Sequence, residues 1–237
     1  MNYQVIVDEA ELAKFVNNFL PVLENHEMWY VGCYARNKYC AGVANIKSDK
    51  QSLGRFTSVT KRLIEKLRQL EVPMNAYLQK DVIVPQEALC VYLTINPRDL
   101  KLAGKNALIK LADLVTREYN GYNPHQEVMS EIQKAKSRTC FVDFDFDITG
   151  DETRESIVES ILTKVNKECV VNILYTRGGL HCLIDPTKVD KSLVKTWYKN
   201  IASMNGVDVK GDNMIPIPGC YQGGYVPKLV MVEGEWQ

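Results

Sequence analysis

Within the run Phe141 to Ile148, bulky apolar side chains alternate with aspartates. A β-strand has a two-residue period, so the carboxylates of Asp143, Asp145 and Asp147 would lie on one face of it. Aspartate is a poor strand former, and like charges two residues apart are only ~7 Å from each other and repel. Because a bound divalent cation would remove that cost, the strand is a candidate site for Mg²⁺ or Mn²⁺.

An edge strand with a solvated acidic face would give the same alternation. Solvent-facing strand positions usually carry Thr, Lys, Ser or Arg, however, so the pattern favours the metal site. A D-x-D strand alone is compatible with nucleotidyl transfer, nucleotide cyclisation, phosphate-ester hydrolysis and glycosyl transfer from nucleotide sugars. Other parts of the chain must select among these reactions.

The composition limits how the chain can meet a partner. The 237 residues include 29 basic and 29 acidic side chains, so any binding to nucleic acid must use a local patch or metal-bridged phosphates. Seven cysteines without a C-x-x-C pair indicate reduced core thiols. No apolar run approaches the ~20 residues that span a bilayer, so we expect a cytoplasmic protein that does not bind a membrane.

The punctuation of the chain predicts two modules, an N-terminal α/β module over residues 1–130 and a second module over 131–237. Residues 121–124 break the chain, and the polar segment 129–138 is expected to bridge the two modules. The elements predicted in the first module are helices near 9–23, 60–70 and 102–119 and strands near 28–34 and 88–95.

The second module has a legible order of elements. The aspartate strand is followed by an amphipathic helix around 157–165, strands 170–175 and 180–184, a helix that begins at Asp190, and the segment Val207-Asp208. This β-α-β-β-α-β order is ferredoxin-like, as in an RNA-recognition-type (RRM-like) palm. The predicted fold class is α+β, a ferredoxin-like palm preceded by a helix-and-strand module, together forming one bilobed core.

The turn between the two later strands is a second candidate site. On the strand that follows the turn Thr176-Arg177-Gly178-Gly179, His181 faces away from its apolar neighbours. Gly178 and Gly179 would let the backbone approach a ligand, and the Arg177 guanidinium suits phosphate oxygens. A single strand histidine is more often structural, but its neighbours here favour a phosphate site.

The segment 207–224 supplies two further carboxylates, Asp208 and Asp212, followed by the proline-rich stretch 215–219. An ordinary loop stiffened by prolines would have the same composition. Gly223-Gly224 does not follow a strand and open a helix, as the glycines of phosphate-binding loops do.

In this order and spacing, the three segments resemble the archaeo-eukaryotic primase and primase-polymerase superfamily over residues 139–225. Asp143 and Asp145 match its first motif, Thr176 to His181 its second, and Val207-Asp208 its third. The resemblance implies a metal pair held by Asp143, Asp145 and a third carboxylate. Asp208 is the first choice for that ligand and Asp212 the second, with Asp147 in the outer shell or unused.

The same resemblance implies that His181 and Arg177 hold the phosphates of an incoming nucleoside triphosphate. The implied activity is the addition of nucleotides to a 3′-hydroxyl on a single-stranded DNA template by two-metal phosphoryl transfer, in the DNA replication of a mobile element or its host. The sequence contains no zinc-ligand spacing and no G-x-x-x-x-G-K-[ST] loop. A helicase or template-binding partner would therefore be a separate chain.

Two other interpretations stay open. A nucleotide cyclase on a similar palm fits the composition, and so does a catalytically silent relative that binds nucleotide or nucleic acid as a replication or defence accessory. A nicking nuclease fits less well, because the three histidines form no His-hydrophobic-His pair. Four tyrosines in or near predicted loops could stack on bases or pack locally: Tyr34, Tyr39, Tyr119 and Tyr122.

Overall fold

The computed structural model describes residues 1–40, 51–79, 81–148, 150, 152–211, 214–232 and 235–236. It is a mixed α+β structure with antiparallel sheets, so the predicted class is confirmed at that level. The α-helices are α1 (Glu9–Lys14), α2 (Leu63–Arg68), α3 (Leu100–Val115), α4 (Pro124–Lys134), α5 (Arg154–Leu162) and α6 (Trp197–Ala202). A π-helical turn, Phe15–Phe19, continues α1, and 3₁₀ turns cover Asn37–Tyr39, Thr60–Arg62, Gln86–Ala88, Lys167–Cys169 and Pro186–Lys188.

The strands of the first sheet are β1 (Glu27–Ala35), β2 (Gln51–Ser58), β5 (Leu89–Thr94), β6 (Arg98–Asp99) and β11 (Met214–Pro216). Their order is β11-β5-β1-β2, and β6 pairs with the start of β1. A separate short hairpin joins β3 (Leu78–Gln79) to β4 (Val82–Ile83). The alternation of β1 places Val31 and Cys33 in the main apolar core, while Tyr30 and Tyr34 take the opposite face.

The second sheet contains β7 (Val142–Asp147), β8 (Val170–Tyr175), β9 (Gly179–Ile184), β10 (Val207–Gly211), β12 (Lys228–Val232) and β13 (Glu235–Trp236). Its order is β10-β7-β9-β8-β12-β13, and every pair is antiparallel. Phe144 and Phe146 are fully buried in a core with residues of α5 and α6. Burial of each ring contributes about 1.5–3 kcal/mol, which offsets the poor strand propensity of the alternating aspartates.

The two sheets share the main core, because Phe141, Leu174 and Leu183 from the second half pack with residues of the first sheet. Strand β11 also belongs to the first sheet although it follows β10 in sequence. A further link is made by Arg138, whose Nε and Nη2 donate to the Glu27 carboxylate at 3.0 and 3.1 Å. The division at residue 130 stays a prediction, since the chain returns to the first sheet after β10.

Several elements differ from the sequence expectations, among them α4, β2 and α6. The segment expected to bridge the modules contains α4, because Asn123 caps the helix and Pro124 occupies its first turn. Strand β2 lies in a polar region where no strand was predicted. The helix expected from Asp190 begins as an α-helix only at Trp197.

Within the described part of the chain, no helix is long and apolar enough to cross a membrane. All seven cysteines lie in the described residues with free thiols, and six of them are buried. The expectation of core thiols is therefore confirmed for those six.

Candidate functional site

A row of charged side chains crosses three neighbouring strands of the second sheet. Asp208 on β10 lies opposite Asp145 on β7, and Asp145 lies opposite His181 on β9. Directly opposed residues of antiparallel strands have their Cβ atoms about 4.5–5.5 Å apart. Asp143 is two residues before Asp145 on the same face, so the structure gathers four predicted site residues that are distant in sequence.

Asp143 and His181 form the tightest contact of this row. His181 Nδ1 lies 3.0 Å from Asp143 Oδ1 and 3.1 Å from Oδ2, and Asp143 is fully buried. Burial lowers the pKa of His181, but the carboxylates of Asp143 and Asp145 outweigh it and raise the pKa to about 9. His181 is therefore an imidazolium at neutral pH, with Nδ1–H donating to Asp143 and Nε2 lying 3.6 Å from Asp145 Oδ1.

Negative charge is crowded around Asp145. Burial raises the pKa of this carboxyl, His181 lowers it, and the carboxylates of Asp143, Asp147 and Asp208 raise it again, with a net increase. A further cation on this face would therefore stabilise the ionised form of Asp145.

The predicted metal ligands are gathered but not assembled. Among the described residues, no three Asp, Glu, His or Cys side chains are placed so that together they could hold a metal ion. Both oxygens of Asp143 face His181 instead. Asp212, the second choice for the third ligand, lies outside the described residues. The oxygen donors present suit Mg²⁺ or Mn²⁺, but Asp143 would have to release His181 in order to join them.

The turn between β8 and β9 is held by its own hydrogen bonds. The Thr176 hydroxyl accepts from Gly179 N–H at 3.3 Å, and Arg154 donates to the carbonyls of Thr176 and Gly179 at 2.8 and 3.2 Å. A Cβ on Gly179 would lie 1.8 Å from the Phe146 carbonyl oxygen. Strand packing therefore requires this glycine. Gly178, in contrast, lines the cleft beside Asp147, where its backbone could contact a ligand.

Arg177 joins the two sides of the cleft. Its guanidinium carbon is 4.4 Å from the centre of the Tyr39 ring, and its backbone N–H donates to Gln222 Oε1 at 3.0 Å. Gln222 Nε2 in turn donates to the Tyr39 hydroxyl at 3.4 Å. The Tyr39 ring also packs on Gly223, where a Cβ would lie 2.4 Å from the ring. The predicted phosphate role of Arg177 stays a prediction.

Asp145 and His181 from the row of charged side chains face a cleft of about 290 Å³ between the two sheets. Asp145, Asp147 and His181 line one wall. The opposite wall carries two cations and two aromatic rings, contributed by Arg36, Lys38, Tyr39 and Tyr92. The remaining lining residues are Thr176, Gly178, Met214, Pro216 and Gln222. An acidic wall opposite cations and rings can hold the phosphates and the base of a nucleotide.

Sequence reasoning missed Arg36, Lys38, Tyr92 and Gln222. The useful signal was the run Arg36-Asn37-Lys38-Tyr39 directly after a predicted strand, since basic and aromatic side chains at a strand end can reach a ligand. Arg36 Nη1 donates to the Tyr92 hydroxyl at 3.2 Å, and this contact holds the two side chains together on one wall of the cleft.

Of the four tyrosines proposed for base stacking, Tyr39 lines the cleft and Tyr34 lines a neighbouring pocket. Tyr119 and Tyr122 instead pack on each other, with ring centres 5.3 Å apart.

No family model matches the sequence, and neither a curated protein nor a solved structure gives a significant match. The function has to be inferred from the chemistry of the cleft.

Proposed function

We propose that the protein is a metal-dependent nucleotidyltransferase of the archaeo-eukaryotic primase and primase-polymerase type, which adds nucleotides to a 3′-hydroxyl on a single-stranded DNA template. The observation that carries the proposal is a cleft with Asp145 and His181 on one wall and with Arg36 and Lys38 on the other. Asp208 is the strand neighbour of Asp145. Carboxylates and cations on facing walls suit a triphosphate that needs metal ions on one side and direct ion pairs on the other.

The arrangement of the second sheet supports the same proposal. Strands β7, β8, β9 and β10 with helices α5 and α6 follow the order β-α-β-β-α-β, and the strands lie side by side as β10-β7-β9-β8. A ferredoxin-like palm would have this connectivity and this order. Its two central strands, β7 and β9, carry Asp143, Asp145 and His181. Each of these strands is paired on both sides, which fixes the positions of the three residues.

The oxygen donors present are of the type that a hard divalent cation prefers, although in the described residues they are not yet placed to hold one together. Asp145 and Asp208 would hold it together with Asp143, which would exchange its bond to His181 for the ion. A bound Mg²⁺ or Mn²⁺ would lower the pKa of the attacking hydroxyl and neutralise charge on the transferred phosphate.

The side chains of the chain itself bind and orient the nucleotide. His181 carries a positive charge at neutral pH, and its Nε2–H can donate to a phosphate oxygen in the cleft. Arg36 and Lys38 would bind the same phosphates from the other wall, and the rings of Tyr39 and Tyr92 offer surfaces for the base and sugar. With no net charge on the chain, these local contacts would have to supply the attraction.

The test is to incubate the purified protein with Mg²⁺ or Mn²⁺, labelled nucleotides and single-stranded DNA, with and without a primer. The Asp143→Ala/Asp145→Ala double variant is the matched control. Template-dependent oligonucleotides that disappear in the variant are expected, and their formation without a primer would establish priming.

Two other outcomes would replace the proposal. A small cyclic product formed without a template would identify a nucleotide cyclase. Nucleotide binding without turnover by either protein would favour the catalytically silent accessory. Oligonucleotide synthesis that survives in the double variant would reject the assigned carboxylates.

A further inference from the structure

A second pocket lies on the first sheet next to the cleft. Gly32 on β1 has Tyr92 as its neighbour on β5 and Arg55 as its neighbour on β2. Because Gly32 has no side chain, the Tyr34 ring can pack over it, 2.4 Å from where a Cβ would stand. Gly32 therefore makes room for the Tyr34 ring, which lines the pocket.

The pocket is large and cationic. Its volume is about 490 Å³, within the ~300–1,000 Å³ typical of ligand sites. It is lined by Tyr34, Arg36, Ser52, Arg55, Tyr92, Gln133 and Met214. None of these described lining residues is acidic, whereas the cleft wall opposite Arg36 carries two carboxylates. Arg36, Tyr92 and Met214 line both pockets, so the second pocket continues the cleft.

Arg55 has no carboxylate among its described partners. It donates to Ser130 Oγ and to the Gln126 carbonyl at 3.2 Å each, and also to Gln126 Oε1, all of them neutral groups of α4. Its Nε is buried without a hydrogen-bond partner in the described part of the chain. Such a guanidinium retains a strong preference for an anion.

Tyr30 is a buried polar neighbour of Arg55. Its side chain is completely buried, and its hydroxyl lies beside Arg55 and Tyr34. Burial raises the pKa of Tyr30, while Arg55 and Tyr34 counteract that rise, so the three groups are near neighbours.

We propose that this pocket binds a backbone phosphate of a single nucleic-acid strand whose neighbouring nucleotide lies in the cleft. Arg55 and Ser52 would contact the phosphate, and the rings of Tyr34 and Tyr92 would contact a base. The phosphate site follows from the pocket itself, whereas the identity of the strand rests on the proposed function.

The experiment measures binding of a fluorescent single-stranded oligonucleotide by anisotropy over a series of salt concentrations, without divalent metal. Arg55→Gln should weaken binding about ten-fold near ~0.1 M salt and reduce the slope of log K against log salt by ~0.7. Arg55→Lys should restore the slope but only part of the affinity, because it lacks the planar fork. Lys105→Gln, on the exposed side of α3, removes the same charge elsewhere and should change neither value.

Ser52→Ala keeps the α4 contacts of Arg55 and should weaken strand binding two- to three-fold at an unchanged melting temperature. It therefore tests the site even if Arg55→Gln unfolds. A strand affinity in both Arg55→Gln and Ser52→Ala equal to that of Lys105→Gln would overturn the proposal. If Arg55→Gln and Ser52→Ala lost mononucleotide binding but kept strand binding, the assignment of the pocket to a strand would be wrong.

The binding assay needs no catalysis. A wild-type protein that binds the strand through Arg55 but incorporates no nucleotide would reject the proposed function alone. If the enzyme is active but its strand affinity is unchanged in Arg55→Gln and Ser52→Ala, this inference alone would be rejected.

Discussion

The two walls of the cleft are built in opposite ways. The acidic wall comes mainly from one strand, β7, whose alternation places three carboxylates on one face, with His181 as the cation beside them. The other wall gathers Arg36, Lys38 and Tyr92 from separate parts of the first sheet and its ends. The first wall stores charge repulsion that a cation would relieve, whereas the second supplies cations and rings. A nucleotide with its metal ions complements both.

The largest expected effects come from replacing Asp143 and Asp145 one at a time. Asp143→Asn and Asp145→Asn should each reduce nucleotide incorporation by at least about 10²–10³-fold, because both carboxylates serve the reacting phosphate. Their stabilities should differ. Asp143→Asn leaves the buried His181 without its carboxylate and should lower the free energy of unfolding by about 3–5 kcal/mol, whereas Asp145→Asn removes repulsion and should leave that free energy equal or higher.

Urea denaturation and steady-state incorporation measure the two quantities. Asp190→Asn, an exposed carboxylate outside the cleft lining, is the control and should change neither. Equal stability of the two cleft variants would mean that the Asp143–His181 contact contributes nothing, and the contrast drawn between them would be wrong.

An intermediate effect is expected on the basic wall, at Gly223. A Cβ there would meet the Tyr39 ring at 2.4 Å, and its φ of +57° strains any other residue. Gly223→Ala should destabilise the fold by about 1–2 kcal/mol. It should also weaken nucleotide binding about ten-fold, because the new methyl group would displace the Tyr39 ring.

Gly224→Ala is the matched control, because its φ is +84° but its Cβ would meet only the Tyr221 hydroxyl at 3.8 Å. It should show the backbone strain without the loss of nucleotide affinity, as measured by titration with a labelled nucleotide. Equal affinity in the two variants would exclude Tyr39 from the nucleotide site.

The smallest expected effect on activity concerns the link between the sheets. Burial raises the pKa of Glu27, but hydrogen bonds from Glu24 N–H and Arg138 outweigh it and hold the pKa below 4.5. A lowered folded-state pKa gives stability that is complete above the ordinary carboxyl range and is lost as the pH falls through the folded-state value. Glu27→Gln should therefore cost about 1.5 kcal/mol at neutral pH, and its difference from wild type should shrink below pH 4.5.

Activity at neutral pH should be nearly unchanged in Glu27→Gln, because neither partner lines the cleft. Thermal melts at several pH values check the prediction. A stability difference that stays constant down to the acid limit would show that the Glu27 charge has no part in joining the sheets.

Much of the second sheet could be predicted, because local patterns dictate it. The alternation around Phe144 and Phe146 indicates strand, face and core at once, and the turn after Tyr175 indicates the hairpin. Short strands such as β11 and β12 carry no such pattern, since their pairing depends on partners far away in sequence. Residues 121–124 have the composition of a chain break, yet Pro124 follows the capping side chain of Asn123 and starts helix α4, which the sequence pattern therefore does not predict.

The site was predictable to a similar extent. A shared face for Asp143, Asp145 and His181 follows from strand periodicity, and Asp208 joins them through pairing with β7. The complete burial of Asp143 and its bond to His181 depend on side-chain packing that no local pattern encodes. Arg36 and Tyr92 meet because β1 and β5 pair within the first sheet, and both face Asp145 and His181 only because the two sheets fold against each other.

The passage of the chain from β10 to β11 constrains how the cleft can open. Gly211 pairs with Asp143 at one end of β7, and Met214, three residues later, already belongs to the opposite wall. Three Cα steps reach no more than ~11 Å, so the two walls cannot move far apart at this end. At the other end, beside Asp147, the walls are joined through side chains, by the hydrogen bonds of Gln222 and by the contact of Arg177 with the Tyr39 ring. A bulky ligand must therefore enter from that edge, and it would first disturb the hydrogen bonds of Gln222.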